Sequence, residues 1–253
     1  MGAFQRRKSL LLKYANIKKD VGLEFGPLAH PLIKKNEGKI KYADYLDKAS
    51  LIKRYASSRN PDEIVEIDYI IKPEEPLSNS IPEKFNYLIA CHVIEHVPNI
   101  IDWLLQLHKL LLPKGYLHLV IPDKRYTFDI LRPPTPLSHI LDDYYRNVQT
   151  AELDHIYEHI FVFRDIKADD IWQGQLSEHN MKTRYSAPNA YSAATKELNS
   201  GKYVEVHCHV FTSEQFMTIL KTLIDMGILP FTICAFDDVI NPYNEFIVVL
   251  QKK

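Results

Sequence analysis

Apolar residues along this chain recur at two spacings, and the points where one gives way to the other divide it into alternating strands and helices. Residues 85–91 form an apolar run, and residues 99–112 carry apolar side chains at helical spacing. A Pro-Lys-Gly turn follows at 113–115, and then a second apolar run at 116–121. The pattern predicts a strand, helix, strand unit, whose crossover is right-handed and makes the two strands parallel. Cys91, His92, Glu95 and His96 follow the first strand, and Asp123, Lys124, Arg125 and Tyr126 follow the second. Both polar groups are therefore expected in one crevice at the carboxyl edge of the sheet, where open α/β sheets bind ligands.

The flanking segments extend the same pattern. Residues 4–20 predict an amphipathic helix and 21–26 a short buried strand. Gly26-Pro27 predicts a sharp turn into a helix over 28–35. Strand, helix and strand are then expected at 39–44, 49–56 and 63–71, with a proline-rich loop before the central unit. From 133 to 201 the chain is rich in Tyr, His, Asp and Asn, and its helical periodicity falls at 137–148, 152–163 and 189–198. This is read as a helical insertion of about seventy residues, large for a connection and so expected to act as a lid that binds the acceptor. A strand at 203–211, a helix at 213–226 and strands at 231–236 and 245–251 complete the reading, the last two close enough for an antiparallel hairpin. The organisation is a doubly wound α/β core in two parts, residues 1–132 and 202–253, around an insertion at 133–201.

Charge and composition narrow the partners. With 31 basic and 32 acidic residues the net charge is -1, which gives no sign of a nucleic-acid partner. No apolar run approaches the roughly 18 residues of a membrane span, and the expected setting is cytoplasmic. Cys91, Cys208 and Cys234 are odd in number and lack C-x-x-C spacing, so reduced thiols are expected.

Several side chains are placed for chemistry. Asp44 ends the second strand, where an ionised carboxylate can accept both hydroxyls of a ribose. Lys124, Arg125 and Arg132, with Tyr126, follow the fifth strand and suit an anionic acceptor. His207 and His209 are two apart on the expected strand and so share a face. Without an identified carboxylate partner they read as packed or hydrogen-bonded histidines, not as a metal site. Glu95 and His96 also suit the start of a helix.

LEFGP at 23–27, Asp44, Asp68, ACHVIEHVPN and LLPKGYLHLVIP together resemble class I S-adenosylmethionine-dependent methyltransferases over about residues 20–132 and 212–251. IPDKRYTFDILRPPT is similar to a subgroup associated with bacterial surface-polysaccharide biosynthesis. The resemblance implies a seven-stranded, mostly parallel sheet whose last strand is antiparallel. It implies S-adenosylmethionine held by Glu24, Gly26, Pro27 and Asp44, with Asp68 and Tyr69 beside the adenine and Cys91 and His92 near the methionine. It further implies O-methylation of a sugar, a nucleotide-linked sugar or a phosphorylated glycan precursor of a capsule or lipopolysaccharide. A group near neutrality is best suited to take the hydroxyl proton, which favours His207 or His209, with His96 and Asp123 as alternatives.

One departure stands out. The family's first loop is usually E-x-G-x-G, and here Leu28 occupies the second glycine position. The alternatives are an NAD(P)-dependent sugar-modifying enzyme, which would normally carry G-x-G-x-x-G after the first strand, and a non-catalytic binding module on the same scaffold.

Overall fold

The structure is a computed structural model, described for residues 2–57, 59–164, 166–177 and 181–253. Its centre is a seven-stranded sheet built from β1 (Val21–Phe25), β2 (Lys39–Asp44), β3 (Tyr69–Ile70), β4 (Phe85–Cys91), β5 (Leu111–Pro122), β6 (Phe231–Asp237) and β7 (Glu245–Lys252). The strand order is β3-β2-β1-β4-β5-β7-β6. Neighbours are parallel except β7, which runs antiparallel to both β5 and β6. Order reverses between β1 and β4, so the carboxyl ends of these two strands flank the crevice.

Alternation along the strands loads both faces of the sheet. Leu23, Phe25, Leu88 and Ala90 join the larger apolar core, which also holds α4 (Ile100–Leu110) and α9 (Ser213–Asp225). Tyr87, Ile89, Ile40 and Tyr42 face the other way, against Leu11 of α1 (Ala3–Leu11) and the loop residues Leu32 and Ile33. The Tyr87 ring sits where a Cβ on Gly22 would fall, 2.1 Å from it, so this pairing of strands requires glycine. α4 begins where Asn99 accepts a hydrogen bond from the Asp102 amide at 3.1 Å, and Thr212 caps α9 through the Gln215 amide at 3.2 Å.

Four expectations fail locally, each for a physical reason. No helix forms over 28–35. Pro31 would remove an amide from its interior, and the Glu24 carboxylate takes the Leu32 amide at 2.7 Å instead. The first helix stops at Leu11, and residues 12–20 turn back on themselves, with Asp20 accepting from the Asn16 amide. The third strand shrinks to Tyr69–Ile70 because the preceding amides go to separate partners: Val65 to the Leu28 carbonyl and Asp68 to that of Tyr42. Residues 203–211 form no strand. The His209 amide donates to Glu95, the Val210 amide to Thr135 and the His207 amide to His159, so no single neighbour offers a ladder. One bridge, Asp123 with Phe211, is what remains of it.

Between β5 and α9 lie α5 (Leu137–Tyr145), α6 (Leu153–Val162), α7 (Ala168–Trp172) and α8 (Ala187–Leu198). α6 and α8 pack together over Ile156 and Ala194. Ile140 of α5 belongs to the main core, so this segment shares the packing of the sheet. α2 (Lys48–Arg54) and α3 (Leu77–Ser80) complete the named helices, and no helix among the described residues is long and apolar enough to cross a membrane.

Candidate active site

Two cavities open at the carboxyl edge of the sheet, of about 610 and 380 Å³, and His92 and His96 belong to the walls of both. The larger lies over the ends of β1, β2 and β4. Glu24, Gly26, Pro27, Asp44, Cys91 and His92 all line it, as does Leu28. Gly26 and Leu28 have φ of 61° and 45°. The turn therefore needs a left-handed backbone at the position where the resembling family carries glycine, and leucine adopts it against the Cβ clash that normally forbids it.

The carboxylates here are tuned by burial. Glu24 accepts amides from Leu32 at 2.7 Å and Ile33 at 3.4 Å, which fixes the loop after β1. Its burial outweighs those bonds and raises its pKa to about 8. Asp44 is 5% exposed, accepts the Tyr45 amide at 2.7 Å and is raised by burial to about 6. Beside it the Tyr45 ring leans on Tyr203 with centroids 4.5 Å apart, and Glu205 receives Tyr55 and Arg54, so the returning chain closes this end of the cavity.

His92 holds a left-handed φ of 54°, and its Nε2 lies 2.7 Å from Oε2 of Glu245. Arg7 donates Nε to the other oxygen of Glu245 at 2.7 Å. Burial opposes ionisation of Glu245, but His92 and Arg7 overcome it and draw the pKa down to about 2. Neither Arg7 nor Glu245 was among the sequence candidates.

Asp68 and Tyr69 are outside the cavity. Asp68 pairs with Lys35 at 2.8 Å and accepts the Tyr42 amide, while the Tyr69 hydroxyl bonds Glu83 and Lys41. The short third strand turns both away, and Ile71 and Lys72 line the wall in their place.

The second cavity is walled by Glu95, His96, Tyr126, Lys167 and His207, among others. Nδ1 of His207 lies 2.6 Å from Oδ2 of Asp129, a residue 2% exposed that also receives Arg132 at 3.3 Å. Burial works against the imidazolium, yet the Asp129 bond and charge raise the His207 pKa above its ordinary value. Asp129 is the carboxylate partner that the sequence did not reveal; nothing in TFDILR distinguishes it from a helix-cap or surface acid.

His209 points elsewhere. It is 0% exposed, bonds the Pro98 carbonyl through Nε2 at 2.8 Å and lines neither cavity, so the shared face expected for His207 and His209 fails with the missing strand. Asp123 is likewise internal, accepting from the Arg125 guanidinium, the Arg125 amide and the Ser213 amide. The cations expected to meet an anionic acceptor are committed within the protein. Lys124 donates to the Ile130 carbonyl at 2.7 Å, Arg125 pairs with Asp123, and Arg132, 1% exposed, binds Asp129 and the His207 carbonyl. Of that group Tyr126 alone lines the cavity, stacked on Trp172 at 4.0 Å.

A sheet of this order, with cavities at its switch point, defines a doubly wound α/β fold of the kind that binds ligands at the carboxyl ends of its strands. The model of the methyltransferase domain family matches residues 10–222, and the chain belongs to that family. It is an enzyme of that family, and its methyl donor is S-adenosylmethionine. No curated protein matches the sequence.

Among solved structures, a protein from Rhodobacter sphaeroides named as a Zn-dependent alcohol dehydrogenase is 14% identical with a TM-score of 0.51, over 98% of this chain and 90% of that one. An S-adenosylmethionine-dependent methyltransferase from Thermotoga maritima is 12% identical with a TM-score of 0.46, over 99% and 90%. The CurJ carbon methyltransferase is 13% identical with a TM-score of 0.46 over 99% of this chain, which spans 55% of its length. These likenesses are of fold.

Proposed function

We propose that S-adenosylmethionine occupies the larger cavity, with Asp44 on its ribose, and that the smaller cavity takes the methyl acceptor. The observation that carries this reading is the shared wall: His92 and His96 border both spaces, so a methyl group at the junction faces donor and acceptor together. The reaction is an in-line displacement in which the S–CH₃ bond breaks, its electron pair leaving with the thioether S-adenosylhomocysteine, an O–CH₃ bond forms and the hydroxyl proton passes to solvent. Alignment supplies most of the catalysis, because the sulfonium carbon is already activated.

The acceptor we infer is a hydroxyl of a sugar or sugar-like polyol, in keeping with the resemblance of residues 121–135 to enzymes of surface-polysaccharide synthesis. Polar groups on the smaller cavity's wall, Glu95, His96 and His207, suit a molecule rich in hydroxyls. Lys124, Arg125 and Arg132 are paired internally, so the cation that the described residues of this wall offer a phosphorylated sugar is Lys167. Three free thiols accord with a cytoplasmic setting. The test is incubation with methyl-labelled cofactor and a panel of free, nucleotide-linked and phosphorylated sugars. Label in an O-methyl sugar supports the reading, and label confined to nitrogen or carbon acceptors overturns it.

A further inference from the structure

Glu95, His96 and His207 each bring a ligand atom within 4.8 Å of the others' at the wall of the smaller cavity. Their other atoms are already committed in a way that sets tautomers. Nδ1 of His96 lies 3.0 Å from the Val206 carbonyl, which can only accept, so Nδ1 carries the proton and Nε2 presents its lone pair. Nδ1 of His207 faces the Asp129 carboxylate, so the neutral ring, the form that a metal ion would bind, would likewise present its lone pair at Nε2. The rings stand nearly perpendicular, at 83°, with centroids 4.7 Å apart. Glu95 is 2% exposed, and its Oε2 has no hydrogen-bond partner among the described residues. A buried carboxylate oxygen left unpaired carries a large desolvation cost, which a cation would remove.

We propose that Glu95, His96 and His207 bind one divalent transition-metal ion, with open positions facing the acceptor cavity. Two neutral imidazoles and one carboxylate on one side of an ion suit Mn²⁺, Fe²⁺, Co²⁺ or Zn²⁺ better than Mg²⁺ or Ca²⁺, which favour all-oxygen sets. The Val206 carbonyl and the Asp129 carboxylate are the outer partners that orient such ligands. Resting on the acceptor reading above, the open positions would hold two oxygens of the sugar and increase the acidity of the one to be methylated.

A second convergence, His139, Asp143, His155 and His209, is disfavoured by its own hydrogen bonds. The Glu152 amide donates to Nδ1 of His155 at 3.1 Å, which leaves the proton on its Nε2, the atom that faces the cluster.

The experiment uses the whole chain, stripped with chelator and titrated with MnCl₂ while free Mn²⁺ is followed by electron paramagnetic resonance. One Mn²⁺ per chain is expected, with binding lost in Glu95→Gln and in His207→Ala and retained in His139→Ala. S-adenosylmethionine binding by calorimetry verifies that each variant is folded. No Mn²⁺ uptake, or uptake unchanged in folded Glu95→Gln and His207→Ala, overturns the site. Sugar methylation that persists in chelator overturns the ion's contact with the acceptor while leaving the acceptor reading intact. Specific Mn²⁺ uptake without any sugar methylation supports the site and sinks the acceptor reading.

Discussion

Nε2 of His92, at the end of β4, lies 2.7 Å from Oε2 of Glu245, at the start of β7, across a sheet in which β5 runs between the two strands. With Arg7 on the same carboxylate, the contact ties the amino-terminal helix and two strands to the floor of both cavities. Glu245→Gln leaves a partly buried guanidinium without its counter-charge, and a loss of about 3 kcal/mol in urea unfolding is expected. The pH dependence should separate the two proteins. Glu245 is depressed from 4.5 to about 2, so its contribution is complete above pH 4.5 and fades as pH falls toward 2. Between pH 5 and pH 3 the parent should lose more stability than the variant.

Asp44 offers a test on the donor side. Asp44→Ala should weaken S-adenosylmethionine roughly ten- to a hundredfold, the range for hydrogen bonds to a charged group, as read by calorimetry. Because burial raises this carboxyl to about 6, the ionised form that best accepts ribose hydroxyls is depleted below that pH. Parental affinity should fall as pH drops through 6, and Asp44→Asn should show no such step.

Glu24 gives a stability signature of the opposite sign. Its folded pKa of about 8 lies above its ordinary 4.5, so the folded state holds the extra proton and the parent loses stability as pH rises from 4.5 to 8. The slope should approach about 1.4 kcal/mol per pH unit in the middle of that window. Chemical denaturation of Glu24→Gln should lack this component, and an equal slope in the variant would assign it to another group.

Asp129 positions His207 rather than meeting a substrate. Asp129→Asn should cut methyl transfer by about ten- to a hundredfold, as losses of such outer partners do, with the affinity for S-adenosylmethionine unchanged. Equal losses in turnover and donor affinity would indicate a structural role instead.

Leu28 permits a backbone measurement. At φ 45° alanine suffers the same clash as leucine, whereas glycine does not. Leu28→Gly should therefore be about 1 kcal/mol more stable than Leu28→Ala, reversing the order these residues show in ordinary backbone.

The central unit at 85–121 was legible because buried parallel strands and an amphipathic crossover leave distinct apolar periods, and LEFGP and Asp44 were legible because strand ends fix where their side chains go. Asp129, Arg7 and Glu245 were not. The contacts that bring them to the site, Asp129 with His207, Arg7 with His92 and Glu245 with His92, span 78, 85 and 153 positions, and no local spacing reports a contact of that range. The anion-binding role drawn for Lys124, Arg125 and Arg132 misled for a related reason, since a run of cations looks the same in sequence whether it faces solvent or is neutralised by a buried Asp123 and Asp129. The strands expected at 63–71 and 203–211 have the right composition, yet a strand exists only where a neighbour offers a continuous ladder.

The common wall at His92 and His96 also bears on inhibition. A single molecule with adenosine at one end and a polyol at the other would engage both spaces through a linker that passes these two shared residues. Once its adenosine is seated, its second half arrives at an effective concentration set by tether length, so its affinity should exceed that of either fragment by far more than any added contact provides.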